Sequence, residues 1–340
     1  MMPSMMLIMN GISVLIVYNG SYAVDAGNMQ VGDMMAFIQY AMQIIMAFLM
    51  ITAMSIMLPR ANVAAMRIVE ILETENSLKE PEAPVHPSEE VKGTVEFDHV
   101  SFAYPDAGEN VLTDISFKLE KGQTLAVIGS TGSGKSSLIN LIPRFYDVTQ
   151  GCVRVDGVDV REMSQKELRD CLGYVPQKGV LFSGTIDSNI RYGKTDISEE
   201  QVKKAAMVAQ AQDFIEEKPH GYESPVAQGG TNVSGGQKQR LSIARAVAKD
   251  PEIFIFDDSF SALDFKTDKA LRKALKEHTK NATTIIVAQR ISTILNADQI
   301  LVLDDGKMAG LGTHRELMEN CEVYRQIAMS QLSEEELANE

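Results

Sequence analysis

The chain lacks clusters of basic residues, and its first 59 positions contain no Lys or Arg at all. The formal net charge is −14 at pH 7. Nucleic acids are bound through clustered cations, so this charge balance excludes them as a partner. Cysteine is scarce too: the three Cys (Cys152, Cys171 and Cys321) show no metal-ligand spacing. Their pattern fits free thiols in a reducing cytosol.

Charge is also missing from two apolar stretches near the N-terminus, residues 1–24 and 34–59. A bilayer core needs about 20 apolar residues in helical form. We therefore predict membrane spans over about 5–24 and 34–59, joined by a short acidic connector. A secretory signal peptide fits poorly, because no basic N-terminal region precedes the first stretch and a second span follows it.

The first basic residues, Arg60 and Arg67, follow the second predicted span. By the positive-inside rule this end is cytoplasmic, which predicts a multi-pass protein of the cell membrane whose soluble domain lies in the cytoplasm. Apolar spacing over residues 61–74 predicts that the second helix continues into the cytosol. Gln39 and Gln43 share one helix face, which either lines a substrate cavity or forms interhelical hydrogen bonds.

Composition shifts divide the chain into four predicted regions. They are the C-terminal part of a membrane domain (1–76), a Pro-rich acidic linker (77–93), a soluble domain (94–332) and an acidic tail (333–340). Two spans cannot enclose a transport pathway, and the sequence starts directly in apolar residues. We therefore expect an N-terminal portion of a larger membrane domain to be missing.

Residues 129–136 read GSTGSGKS and match the phosphate-binding pattern G-x-x-x-x-G-K-[ST]. An apolar strand precedes them and an apolar-periodic helix follows. Glycines let backbone N–H groups turn toward phosphates, and the helix N-terminus adds partial positive charge. We predict ATP binding by Gly129, Ser130, Thr131, Gly132, Ser133, Gly134, Lys135, Ser136 and Ser137, with Lys135 reaching the β- and γ-phosphates and the Ser136 hydroxyl ligating Mg²⁺.

A second apolar run, PEIFIFDD, ends in Asp257. A carboxylate at the end of such a strand holds Mg²⁺ in P-loop NTPases. Strands often end in Asp, but the pairing with a phosphate loop makes this pattern specific. We predict that Asp257 serves the same Mg²⁺ as Ser136.

Several motifs stand in a fixed order: the phosphate loop, Gln177 in GYVPQ, VSGGQ at 233–237, IFIFDD, SALD and VAQR. This order resembles the nucleotide-binding domain of ATP-binding cassette (ABC) transporters. The two spans resemble the last two of the six membrane helices that ABC exporters fuse ahead of the cassette. The resemblance implies an α/β P-loop NTPase fold with a RecA-like core, an antiparallel β subdomain and an α-helical subdomain, preceded by two transmembrane helices.

The resemblance also implies roles for single residues. Tyr104 in FAYP is expected to stack on adenine, although a surface Tyr at a strand end is the alternative. Gln177 is expected to contact Mg²⁺ and to signal to the membrane domain. The signature residues are expected to cap the γ-phosphate of ATP held by the opposite subunit; they are Ser234, Gly235, Gly236 and Gln237. Asp264 in SALD resembles the loop that communicates across the dimer, and His314 is expected to be structural.

Two positions depart from the family pattern. Asp258 stands where the family usually has the Glu that polarises the attacking water, and Gln289 replaces the usual His. Asp is one methylene shorter, and a misplacement of about 1 Å can cost on the order of 100-fold in rate. Gln forms hydrogen bonds but cannot shuttle a proton. With Gln177, these residues make up the predicted catalytic set of a slow site.

The combination resembles the degenerate-site half of a heterodimeric multidrug-type exporter. It predicts an ATP-hydrolysing translocase that uses ATP and Mg²⁺, with a second half-subunit, membrane lipid and an unidentified transported substrate as partners. The alternatives are a homodimeric exporter that is slow at both sites and a partner subunit that mainly clamps ATP without hydrolysis. A soluble cassette protein of DNA repair or translation is disfavoured by the 26 uncharged residues over 34–59.

Overall fold

The computed structural model describes residues 2–105, 107–194 and 196–331, so the predicted acidic tail at 333–340 lies outside the described residues. The chain separates into two compact units, Met1–Ser77 and Leu78–Glu340. The division falls where the sequence changes from apolar, Met-rich segments to the Pro-rich acidic stretch.

The first unit is a pair of helices, α1 (Met2–Asp25) and α2 (Val31–Leu72). Both are long and apolar enough to cross a membrane. The predicted spans lie inside them, and α2 also includes most of the predicted cytosolic extension. At 1.5 Å per residue, α2 is about 60 Å long, roughly twice a bilayer core. It passes through Pro59 without ending, which costs one backbone hydrogen bond.

The second unit contains the remaining helices and strands of the described residues. The helices are α3 (Lys135–Leu141), α4 (Gln165–Asp170), α5 (Ile186–Ile190), α6 (Glu199–Val208), α7 (Gln212–Glu216), α8 (Gly235–Lys249), α9 (Phe265–His278), α10 (His314–Asn320) and α11 (Glu322–Gln331). The strands are β1 (Val95–Phe102), β2 (Leu112–Leu119), β3 (Thr124–Gly129), β4 (Gln150–Val155), β5 (Val158–Asp159), β6 (Leu172–Val175), β7 (Gly184–Thr185), β8 (Pro225–Val226), β9 (Ile253–Asp257), β10 (Thr283–Val287), β11 (Gln299–Asp304) and β12 (Lys307–Gly312).

Two larger sheets organise these strands within the described residues. One is antiparallel, in the order β2-β1-β4-β5. The other has the order β12-β11-β3-β10-β9-β6 and is parallel except for β12. The neighbouring strands β3, β10, β9 and β6 end at one edge of this sheet, which is where ligands bind in parallel α/β sheets.

Alternating side chains of β9 divide the core. Ile253 and Ile255 join the cluster that packs the antiparallel sheet and α3 against one face of the parallel sheet. Phe254 and Phe256 point the other way, into a cluster with α5, α6 and α8. This alternation is the period of two expected of a strand buried on both faces. The sheet is therefore held rigidly from both sides, and its carboxyl edge is a stable base for a site.

The segment predicted as a linker makes specific contacts with the second unit. The Val85 N–H donates to the Glu162 carbonyl at 2.9 Å, and the His86 imidazole lies 2.9 Å from the Glu167 carboxylate. Residues 78–93 thus follow the surface of this unit, although their Pro-rich composition indicated only a connector.

Candidate functional site at the carboxyl edge of the parallel sheet

The phosphate loop connects β3 to α3, as the motif predicts, and its glycines are required by close packing. A Cβ on Gly129 would lie 2.2 Å from the Leu303 carbonyl oxygen. Gly134 has φ +95°, and a Cβ there would lie 2.8 Å from the Leu112 side chain. Gly132 also has a positive φ, of +85°. These conformations strain any residue with a side chain, so the loop shape depends on glycine.

Lys135 folds back over this loop. Its Nζ donates to the carbonyl oxygens of Gly129 at 2.8 Å and Ser130 at 2.6 Å. Burial lowers the pKa of Lys135, while the nearby Asp258 and Asp257 oppose this effect. Among the described residues the ammonium forms no ion pair, and Lys135 lines the cavity beside it. That cavity has a volume of about 510 Å³, and the loop lines it together with Gln177, Gln289, Ile327, Ser330 and Gln331.

Ser136 and Asp257 form the second part of the site. The Ser136 hydroxyl donates to Asp257 Oδ1 at 3.3 Å. Burial raises the pKa of Asp257, the Ser136 hydrogen bond lowers it, and the charge of Asp258 raises it further. The two oxygens fit Mg²⁺, which prefers oxygen ligands and usually keeps water and phosphate in its remaining positions. A bound dication would also offset the cost of the buried carboxylate.

Asp258 is held by two glutamines. Its Oδ2 accepts hydrogen bonds from Gln289 Nε2 at 2.6 Å and from Gln177 Nε2 at 3.2 Å. The residue has φ +45°, a conformation that Asp tolerates better than most side chains, and its N–H donates to the Val287 carbonyl at 3.1 Å. Gln177 and Gln289 are 81 and 31 positions from Asp258 in sequence, yet both amides donate to the same oxygen of its carboxylate. The fold thus brings the three predicted catalytic residues together.

Tyr104 lies beside the first turn of α3. Its hydroxyl is 2.9 Å from Ser137 Oγ, and its ring packs edge-on against Phe102 and Tyr146 at centroid distances of 4.9 and 5.1 Å. The ring does not line the phosphate cavity. Its expected contact with adenine stays a prediction. The half-buried position of Tyr104 next to the loop is compatible with that contact.

The predicted signature residues form a separate group, away from the phosphate cavity. Ser234 caps α8: its Oγ accepts from the Gln237 N–H at 3.3 Å, and Gln237 Oε1 accepts from the Ser234 N–H at 3.2 Å. A Cβ on Gly235 would meet nothing within 4 Å, and one on Gly236 would lie 3.4 Å from the Ala262 carbonyl oxygen. This start of a 15-residue helix is exposed and offers N–H groups to an anion outside the chain.

Two other residues singled out in the sequence have local partners. Asp264 caps α9 by accepting from the Thr267 N–H at 3.0 Å, and hydrogen bonds from Thr267 lower the pKa of Asp264. His314 Nδ1 lies 2.6 Å from the Tyr324 hydroxyl, in the packing of α10 on α11.

Sequence reasoning missed the contribution of α11. Ile327, Ser330 and Gln331 line the phosphate cavity, although they follow the motifs by many residues. Gln331 Nε2 donates to the Gln289 carbonyl at 2.9 Å. A glutamine at the end of an ordinary amphipathic helix carries no motif, so no signal in the sequence identified these residues.

The chain is similar to known proteins in sequence and in fold. The ABC transporter family model matches residues 112–261. An uncharacterized ABC transporter ATP-binding protein of Mycobacterium tuberculosis is 46% identical over 334 residues, covering 97% of this chain and 57% of that protein. Human ATP-binding cassette sub-family B member 6 is 39% identical over 321 residues, covering 94% of this chain and 38% of that protein.

Among solved structures, a bacterial Atm1-family ABC exporter with ATP bound matches with a TM-score of 0.80 and 33% identity, covering 97% of this chain and 58% of that one. Residues 112–261 thus carry the ATP-binding cassette of the ABC transporter family, and two helices long and apolar enough to cross a membrane precede them. The chain spans a little over half the length of the bacterial relative. The predicted α/β P-loop cassette fold is confirmed.

Proposed function

We propose that the chain is an ATP-binding and permease subunit of an ABC exporter, which couples ATP binding and hydrolysis to efflux of a substrate. The observation that carries this proposal is a cavity lined by the phosphate loop with Lys135 and Ser136, whose hydroxyl donates to Asp257 at the carboxyl end of β9. The two apolar helices ahead of the cassette support a membrane location.

In this proposal the phosphates of ATP lie against the backbone N–H groups of residues 129–137, with Lys135 on the β- and γ-phosphates. Ser136, Asp257 and Gln177 hold Mg²⁺, which neutralises charge that develops on the transferring phosphoryl group. Tyr104 stacks on adenine, a contact worth roughly 1–3 kcal/mol in comparable cases. The shared edge of β3, β9 and β6 supports the phosphate and Mg²⁺ groups, whereas Tyr104 follows β1 of the antiparallel sheet.

We further propose that this chain's own site hydrolyses ATP slowly. Asp258 is one methylene shorter than the usual Glu, and the amides of Gln177 and Gln289 already occupy its Oδ2. These two bonds occupy an oxygen that would otherwise be open to an attacking water. Gln289 cannot supply the proton transfer of the His that the family usually has.

The exposed signature group supports a dimer, and the altered positions Asp258 and Gln289 favour a heterodimer over a homodimer. Ser234–Gln237 line no part of this chain's phosphate cavity, so their N–H groups serve ATP held by another subunit. A partner half-subunit that carries the usual Glu and His would then hydrolyse ATP at full rate under this cap. The transported substrate would pass through the membrane domain formed by both subunits.

The proposal is tested by measuring ATP affinity of the full chain in detergent. Lys135→Ala should weaken binding about tenfold or more, because hydrogen bonds to a charged group contribute about 1.5–3 kcal/mol. Asp258→Ala should change the affinity less than about threefold. The exposed Lys276 on α9 is the matched control, and Lys276→Ala should bind as wild type does. Equal affinities of wild type and Lys135→Ala would refute the assignment.

A further inference from the structure

A single side chain on α11 joins the cassette's C-terminal helix to the segment that carries Gln289. Gln331 Nε2 donates to the Gln289 carbonyl at 2.9 Å, and Gln331 Oε1 accepts from the Ile291 N–H at 2.9 Å. One amide thus pairs with two backbone groups that are two residues apart, as a neighbouring strand would. The segment 289–291 has left the sheet, and these bonds replace partners that the sheet no longer supplies.

Segment 289–291 has other anchors as well, including turn hydrogen bonds to the carbonyls of Arg290 and Ile291. The Ile291 side chain is fully buried in the cluster beneath α11. Farther along, Arg272 on α9 donates to the Ser292 carbonyl at 3.3 Å. Neither contact holds the Gln289 backbone itself. Gln331 lines both the phosphate cavity and the cavity of about 600 Å³ on the other side of the segment.

The position of the Gln289 backbone determines where its side chain reaches. That side chain donates to Asp258 Oδ2 at 2.6 Å. We propose that Gln331 is a positioning residue, which holds segment 289–291 so that the Gln289 amide meets Asp258 beside the phosphate cavity. The expected effect of Gln331 on the response to nucleotide rests on the proposed function, whereas its hydrogen bonds to segment 289–291 do not.

Amide hydrogen exchange of Ile291 in the nucleotide-free full chain tests directly whether Gln331 holds segment 289–291 in place. Gln331→Ala removes the acceptor and should raise the Ile291 exchange rate about three- to tenfold, the usual worth of one hydrogen bond. Gln331→Glu keeps the acceptor and should retain the protection. Gln326 is the matched control, because it is an exposed glutamine on the same helix whose side chain donates to Glu322 within α11. Gln326→Ala should leave Ile291 unchanged.

The same measurement with ATP and Mg²⁺ tests the link to the site. In wild type, ATP should slow exchange over residues 289–291, and in Gln331→Ala most of this effect should be lost. Equal Ile291 exchange in wild type and Gln331→Ala would overturn the proposal. So would a loss of ATP affinity in Gln331→Ala as large as that of Lys135→Ala, since Gln331 would then act as a ligand contact. A wild type that binds no ATP contradicts the proposed function instead, and the nucleotide-free comparison then decides the role of Gln331.

Discussion

The phosphate-loop group (Gly129–Ser136 with Asp257) and the signature group (Ser234–Gln237) differ in their surroundings. The first group borders a cavity lined by its own chain: Lys135 bonds to loop carbonyls and Asp257 is 7% exposed, although several residues of the loop are exposed. In the second group, the Ser234 and Gln237 side chains each accept a hydrogen bond from the other residue's N–H, and neither residue lines that cavity. One group therefore borders a site of this chain, whereas the proposed function assigns the other to ATP of a second subunit. The predictions below test this division.

The largest expected effect comes from the signature group in the dimer reconstituted with its partner half-subunit. Ser234→Ala or Gly236→Leu should reduce ATP turnover at least about 100-fold, because charge stabilisation around a transferring phosphoryl group is worth several kcal/mol. ATPase rates of the purified dimers measure this.

Ser198 is the control for this experiment. It caps α6 with the same reciprocal pair of bonds, to Gln201, at 2.7 and 3.2 Å. Ser198→Ala loses a comparable helix cap, worth about 1 kcal/mol, but should keep most of the turnover. Equal losses of turnover in the Ser198 and Ser234 variants would mean that Ser234→Ala acts through helix stability alone.

A gain of activity is the next largest effect. Asp258→Glu combined with Gln289→His restores both groups that the family usually has, so turnover at this chain's own site should rise on the order of tenfold. The measurement is single-site ATPase in a dimer whose partner site is inactivated. No gain would mean that the slow site has a different cause, such as the hydrogen bond from Gln177.

A smaller effect is expected for Asp258→Ala in the intact dimer. Turnover should fall less than about threefold, because the carboxylate serves a site that is already slow. ATPase rate is again the readout, with Ser234→Ala as the reference for a large loss. If Asp258→Ala silences the dimer, either the two sites have the opposite roles or the chain works as a homodimer.

The smallest effect concerns a buried carboxylate outside both groups. Asp156 accepts from the N–H groups of Gly93 at 2.6 Å and Thr94 at 3.2 Å. Burial raises the pKa of Asp156 to about 6 from its usual 3.8, while the Gly93 N–H opposes the shift. The folded chain therefore binds this proton more tightly than the unfolded chain. Its stability contribution is full below about pH 4 and decreases as the pH rises to about 6.

Asp156→Asn removes this titration and keeps an acceptor for both N–H groups. The variant should gain up to about 3 kcal/mol relative to wild type between pH 4 and pH 7.5, since the pKa of Asp156 is raised from 3.8 to about 6 and each unit corresponds to about 1.4 kcal/mol. Thermal unfolding of the full chain at several pH values measures the difference, and ATP affinity should not change. A stability difference that is the same at every pH would contradict the assigned pKa direction.

Sequence alone was sufficient for the features that depend on neighbouring residues. The phosphate loop could be read because its glycines, Lys135 and the flanking strand and helix are contiguous. Uncharged length predicted the membrane helices, and the Ser234 and Gln237 spacing indicated a helix start. In each case the determining interactions are within a few positions, so the local pattern fixes the local structure.

Tertiary structure decided the contacts between distant segments. Gln177, Asp258 and Gln289 meet because β6, β9 and β10 are neighbours whose carboxyl ends share one edge. The hydrogen bond from Gln331 to the Gln289 carbonyl joins residues 42 positions apart, and it requires α11 to pack on the parallel sheet. Residues 78–93 follow the cassette surface because individual hydrogen bonds from their backbone and side chains attach them to it. None of these contacts leaves a periodicity in the sequence, since each joins chain segments that only the completed fold brings within hydrogen-bond distance.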